Sequence, residues 1–209
     1  MAEGAFDNSV FINCPFDKEY EPILQSILFC VIYLGFEPRL ASESNDSGAV
    51  RLEKIKGLIE ASKYSIHDLS RCQAKKKGEN YRLNMPFELG MDYGCRQYFG
   101  QGRESKKLLI LEEKLFRYQA AISDLAGCDI KTHAADFQKA VRQVRNWLVS
   151  EANIAADGAT RIIGAYADFQ EWYYEKQLAA GFSEDDIQDY PTSELLAEMK
   201  AWMIAGKPV

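Results

Sequence analysis

The chain has 209 residues, 47% hydrophobic and 27% charged, enough to bury a core as one domain or as one domain with an appendage. Its net charge of −6 argues against a general nucleic-acid binder, which carries a basic stripe, and Lys75-Lys76-Lys77 reads as a solvated loop. No run of about 18 apolar residues marks a membrane span, and Met1 to Asn8, with two acids and no base, is unlike a secretory signal.

Val10-Phe11-Ile12 predicts a first strand. Ile23, Leu24, Ile27, Leu28, Val31 and Ile32 recur at helical spacing and predict a helix from about Tyr20 to Leu34, stopped by Gly35. A second strand follows at Phe36 to Leu40, then a turn-rich loop from Ser42 to Gly48. Leu52, Ile55 and Ile59 mark a second amphipathic helix. Tyr64 to Asp68 is the third strand, and a third helix runs from Pro86 to about Tyr98 with Asn84 as its cap. Gly90 and Gly94 on that helix predict a close approach to the sheet. Lys107 to Leu111 is a fourth strand, with a helix expected around Phe116 to Leu125. Asp129 to His133 is a fifth strand, and Phe137, Val141, Val144 and Leu148 define its helix.

Strands alternating with helices predict a parallel sheet covered on both faces, a flavodoxin-like α/β fold of strand order 2-1-3-4-5. Beyond Glu151 the strand signals stop. Ile162, Tyr166, Phe169 and Tyr173 form one helical stripe, and Leu195, Leu196, Met199, Trp202 and Met203 another. Residues 1–151 are therefore expected to form the α/β domain and 152–209 a helical extension packed on it, with a self-association or partner surface as the alternative use of the aromatic faces.

Ligands of doubly wound sheets bind beyond the carboxyl ends of the strands where the strand order reverses, here between strands one and three. That topology brings Asn13, Phe16, Asp17, Asp68, Ser70 and Glu88 towards one crevice. Glu88, in an early helical turn among apolar neighbours, is either a functional carboxylate there or a complement to the helix dipole. Arg51 opens the preceding helix, where a cation opposes the dipole and is better tolerated beside an anion such as a ligand phosphate.

Several sites fail on their residues. Cys14 lacks the arginine six positions later that a phosphatase loop requires, since Tyr20 stands there, and reads as a structural thiol. His67-Asp68 would need more histidines for metal phosphohydrolase chemistry, and His67 reads as a packed or surface strand residue. Asn13 and Cys14 do not supply the acidic pair of a receiver domain, and no glycine-rich phosphate loop occurs. Five cysteines without a Cys-x-x-Cys pair fit a reducing cytosol, so a cytoplasmic location is expected. Two histidines, His67 and His133, are too few for most transition-metal sites. Neither a metal nor a resident cofactor is expected.

Val10-Phe11-Ile12-Asn13 followed by Phe16-Asp17 resembles the opening strand and loop of a TIR domain. Ile59 to Ser70, followed by Asn84-Met85-Pro86-Phe87-Glu88-Leu89-Gly90, is similar to the nucleoside 2-deoxyribosyltransferases. In that family an aspartate closes the third strand and an Asn/Thr-x-x-x-Glu-Leu-Gly element carries the catalytic glutamate. The resemblance covers about residues 10 to 150. The chain departs from it at the loop Asn13-Cys14-Pro15-Phe16, where the transferases have a Gly- or Ala-rich segment and TIR domains a serine.

The resemblance implies a bacterial TIR-like protein of the antiphage-defence kind, cleaving the N-glycosidic bond of a nucleotide, with NAD as substrate rather than cofactor. Glu88 would be catalytic, as ion partner or nucleophile. Asp68 and Asn84 would orient ribose hydroxyls, Phe16 would stack on a base, and Arg51 or Arg71 would neutralise phosphate. Asp17 and Asp46 are further polar contacts, and Ser70 lies in the same crevice. Hydrolysis, base exchange and cyclisation stay open as outcomes. Two alternatives remain: a deoxyribosyltransferase-like enzyme, and a non-catalytic module that binds a nucleotide or assembles with like domains. The expected partners are the nucleotide, further copies of the chain and an effector or sensor protein, with neither nucleic acid nor membrane among them.

Overall fold

A computed structural model describes residues 3–43, 46–71, 74, 77, 83–120 and 122–207. Lys75 and Lys76 of the lysine triplet, and Ser44 and Asn45 of the turn-rich loop, lie outside the described residues. A short helix α1 (Glu3–Asn8) leads into β1 (Ser9–Asn13). Then come α2 (Glu21–Tyr33), β2 (Glu37–Arg39), α3 (Arg51–Glu60), β3 (Tyr64–Asp68), α4 (Asn84–Tyr98), β4 (Lys107–Glu112), β5 (Lys131–Thr132) and α5 (Phe137–Ala152). Helices α6 (Ala159–Ala179), α7 (Glu184–Gln188) and α8 (Thr192–Ile204) complete the chain. The five strands form one sheet of order β2-β1-β3-β4-β5. Every pairing is parallel, as in a flavodoxin-like fold, with Val10 beside Tyr64 and Tyr64 beside Lys107.

Side chains alternate across this sheet as a two-residue period requires. Val10, Ile12, Tyr64, Ile66, Leu109 and Leu111 join a core that includes α2 and α5. Phe11 packs on the opposite side with Ile55, Leu58 and Ile59 of α3 and Cys95 of α4. Met85 and Leu89 of α4 meet Leu69, Ile110 and Tyr118 in a third cluster.

Helix α2 is buried nearly all round, from Ile23 to Ile32, because it is covered twice. One side faces the sheet and α5; the other receives α6 and α8. Phe29 stands at the centre of that second contact, with the rings of Tyr166, Phe169 and Trp202 at 5.2, 5.5 and 5.7 Å. The boundary expected near Glu151 falls at the end of α5, and residues on both sides of it share one apolar cluster. The aromatic stripes of α6 and α8 are thus largely core. Among the described residues no helix is long and apolar enough to cross a membrane.

Three local expectations are corrected. The helix expected around Phe116 to Leu125 is instead a pair of 3-10 turns, Arg117–Ala120 and Ser123–Leu125. Phe116 ahead of them has a left-handed φ of 65°, which no α-helix accepts. Asn84 does not cap α4: the helix begins at Asn84, and Leu83 occupies the cap without a side-chain bond. Pro86 therefore sits in the third helical position, still inside the first turn, where a missing N–H removes no intrahelical bond. Gly90 and Gly94 do not serve a close approach either, because a Cβ at either position would meet nothing within 4 Å.

Candidate functional site

The carboxyl end of β1 leads into the loop from Cys14 to Tyr20, and that of β3 into Leu69-Ser70-Arg71. The Arg71 guanidinium donates to both Asp17 oxygens, at 3.1 and 2.9 Å, tying the two loops together across the point where the strand order reverses. Asp17 also accepts from the Tyr20 N–H, starting the turn that precedes α2. The pairing raises the Arg71 pKa further and takes up the fork that was expected to meet a phosphate.

Two buried polar networks lie beneath this bridge, on opposite faces of the sheet. On the α4 face, Asn13 Nδ2 donates to the Met85 carbonyl at 2.9 Å and lies 3.0 Å from His67 Nδ1. With Nδ1 accepting from Asn13, His67 Nε2 is the donor to Asp92 Oδ2 at 3.0 Å. The other Asp92 oxygen lies 3.2 Å from Lys106 Nζ, which also donates to the Ile59 and Ser62 carbonyls. Burial by itself would raise the Asp92 carboxyl, but His67, Lys106 and Ser65 outweigh it and hold it below its ordinary value. Burial lowers the Lys106 ammonium, against the pull of Asp92. This chain of contacts joins β1, β3, α3 and α4.

On the other face, Asp68 accepts from the Tyr20 hydroxyl at 2.7 Å and from the Ser70 N–H at 2.8 Å. His133 Nδ1 accepts from the Ala135 N–H, so Nε2 is the nitrogen that meets Asp68 Oδ2 at 3.0 Å and Ser70 Oγ at 2.9 Å. Both partners on one nitrogen exclude a serine nucleophile of the triad type, which needs the carboxylate on the far nitrogen. Burial opposes ionisation of Asp68, yet His133, Ser70 and Tyr20 together lower its pKa. Arg117 closes the edge, donating to the Ser70 carbonyl at 2.8 Å and pairing with the fully buried Glu112.

Three of the residues expected in the ligand crevice have internal partners instead. Asp68 has no exposed surface, and both of its oxygens are engaged, so it has no free face for a ribose hydroxyl. Asn13 and Ser70 are likewise buried and spent on internal partners. They form the floor of the crevice. Asp46 is exposed and holds the turn before α3 by accepting from the Gly48 N–H at 2.9 Å. Cys14 is a buried thiol, as expected. Burial raises its pKa well above the ordinary value, with Asp68, Glu88 and Asp17 adding to the effect, which makes it a poor nucleophile.

Glu88 behaves differently. It lies on the inner side of α4 at 6% exposure, and among the described residues no hydrogen bond reaches its carboxylate. Burial raises its pKa, only partly offset by the positive charge of Arg51 at the start of α3. Phe16 is 46% exposed, and Asn84 and Arg51 are exposed at the two helix starts. Of the three residues that the sequence drew towards the switch point, Glu88, Arg51 and Phe16, the first two interact electrostatically. The sequence did not reveal His67, Asp92, Lys106, Tyr20 or His133 as the supporting frame. One signal existed: Asp92 follows Glu88 by one helical turn on a stripe with Met85, Leu89 and Cys95, and a carboxylate on a buried stripe requires a partner.

No family model matches the chain, and no curated protein or solved structure matches it. Among the described residues no group of three His, Cys, Asp or Glu side chains is arranged to hold a metal ion.

Proposed function

We propose that this chain cleaves the N-glycosidic bond of a nucleotide, with NAD as the substrate. The observation that carries this reading is Glu88: a buried carboxylate without a hydrogen-bond partner among the described residues, at the topological switch point, with its pKa raised by burial. A paired carboxylate has its charge answered by the protein. An unpaired one is available to a developing positive charge.

In the proposed reaction the bond between the anomeric carbon and the nicotinamide nitrogen breaks, and its electron pair leaves with nicotinamide. Glu88 stabilises the cation that forms at the anomeric carbon, or attacks it to give a covalent ester. Water then takes the place of nicotinamide and yields ADP-ribose; a nucleophile within the same molecule yields a cyclic product instead. Phe16 stacks on a base, Arg51 faces a phosphate and Asn84 a ribose hydroxyl. The framing networks hold α4 and the two loops in register. Such a product would serve as a signal, and antiphage defence in an oligomeric state is the setting the resemblance favours.

The test is incubation of the purified chain with NAD, separation of products by chromatography and mass spectrometry, and a Glu88→Gln control. Nicotinamide release that the substitution abolishes supports the reading, and the mass of the second product distinguishes hydrolysis from cyclisation. Base exchange between 2′-deoxynucleosides in place of NAD turnover would replace it with the transferase reading. Ligand binding without turnover of either substrate at high protein concentration, indifferent to Glu88→Gln, would replace it with the binding module.

A further inference from the structure

Helix α4 starts without the usual support. Leu83 stands at its cap and makes no side-chain bond to the first turn, which leaves that turn prone to fray. Glu88 follows that turn and depends on it for its position. One buried imidazole holds the helix on either side of Glu88. Upstream, the two hydrogens of Asn13 Nδ2 are divided between the Met85 carbonyl at 2.9 Å and His67 Nδ1 at 3.0 Å. Downstream, His67 Nε2 donates to Asp92 Oδ2 at 3.0 Å. Met85 lies one turn before Glu88 and Asp92 one turn after it, and all three are buried on the inner side of α4.

The clamp is dry and directional. Asn13 is 3% exposed, and His67 and Asp92 have no exposed surface. The Phe11 ring meets the imidazole edge-on at 5.8 Å. Lys106 carries the same network to the end of α3 through the Ile59 and Ser62 carbonyls. Stability alone does not call for such an arrangement, because apolar side chains of similar volume often stabilise a core as well as a buried ionic network does. What hydrogen bonds add is geometry, since each holds its partner to a narrow range of distance and angle.

We infer that Asn13 and His67 are positioning residues for Glu88: acting through Met85 and Asp92, they fix how deeply α4 seats its carboxylate. The inference rests on the reading of Glu88 as the reacting acid. It assigns the burial of that acid to two particular side chains and not to packing in general. A carboxylate already fixed and desolvated needs little reorganisation when a positive charge develops beside it.

The test is titration of the Glu88 carboxyl by carbon-13 NMR in the full chain, with the signal assigned through Glu88→Gln. Two variants break the upstream arm by different routes. Asn13→Ala removes both donors. His67→Gln places an amide near the position of Nε2, so Asp92 keeps a donor while Asn13 loses its acceptor. In both, water should reach the carboxylate, and its midpoint should fall from the raised wild-type value towards the ordinary glutamate range. Val144→Ala, an equally buried truncation on α5, should leave it unmoved. An unmoved midpoint in the variants that fold, or the same movement in Val144→Ala, overturns the inference. Should neither variant fold by circular dichroism, amide exchange in the wild-type chain decides. The Glu88 and Leu89 amides must then exchange as slowly as the middle of α4, and fast exchange there overturns the inference. These readouts need no substrate, so their failure is distinct from a failure to cleave NAD. Where NAD is turned over, both variants should lower kcat by about tenfold or more with KM changed less than about twofold, and the reverse split counts against positioning.

Discussion

Glu88 and Asp92 stand one turn apart on the inner side of α4, both acids, both buried, and their pKa values move in opposite directions. Burial acts on each to favour the uncharged form. At Asp92 it is overcome by a histidine at 3.0 Å and a lysine at 3.2 Å; at Glu88 the charge of Arg51 opposes it without overcoming it. One residue is a structural joint between α4 and the sheet, and the other has no hydrogen-bond partner among the described residues. Depth of burial therefore does not separate the two acids. The state of their partners does.

The largest expected effect tests the joint. Asp92→Asn leaves Lys106 buried without its counter-charge, and truncating a buried pair costs about 3–5 kcal/mol. Chemical denaturation should show that loss; a change under about 1 kcal/mol would mean that water reaches the pair. The same joint sets an acid limit. A carboxylate whose folded pKa is depressed contributes stability that is complete above its unfolded value, near 3.8, and lost as pH falls through the lower folded value. Wild-type stability should accordingly drop below about pH 4, through both Asp92 and Asp68.

Glu88→Gln should act in the other direction. An acid with a raised folded pKa loses stability as pH rises from its unfolded value through the folded one. The variant is spared that loss, so its melting temperature relative to wild type should be higher at about pH 7 than at about pH 4. Equal differences at the two pH values would mean that the carboxylate is solvated. Activity would fall by two orders of magnitude or more if the proposed chemistry holds.

The smallest effect sharpens the contrast at its edge. Arg51→Ala removes a charge that lowers the Glu88 pKa, so the acid limb of a pH–rate profile of the proposed reaction should move to higher pH. Stability should hardly change, because Arg51 is exposed. A profile that does not move would separate Arg51 from the site.

The sheet was readable in the sequence because its signals are local. Tyr64 to Asp68 is a short run flanked by polar residues, and Gly35, with φ of 85°, ends α2 where a left-handed residue is required. Alternation of strand and helix then leaves few topologies, and order 2-1-3-4-5 is among the commonest. The Phe116 to Leu125 segment misled because its apolar spacing resembles a helix, while its backbone turns are shaped by packing under Tyr118. Helix position and topology drew Glu88 to the crevice, and the structure buries it on α4. Asp68, Asn13 and Ser70 were drawn to the same crevice by that logic, but topology locates a residue without saying which way its side chain is satisfied.

The order of most elements and the parallel sheet could be read from the sequence alone, since periodicity and turn chemistry act over a few residues. Only the tertiary structure decided which acids are paired, because His67, Asp92 and Lys106 come from separate elements and meet only after folding. It also decided that the aromatic stripes of α6 and α8 close over Phe29. Contacts between residues far apart in the chain carry no local period, and hydrogen-bond satisfaction depends on them.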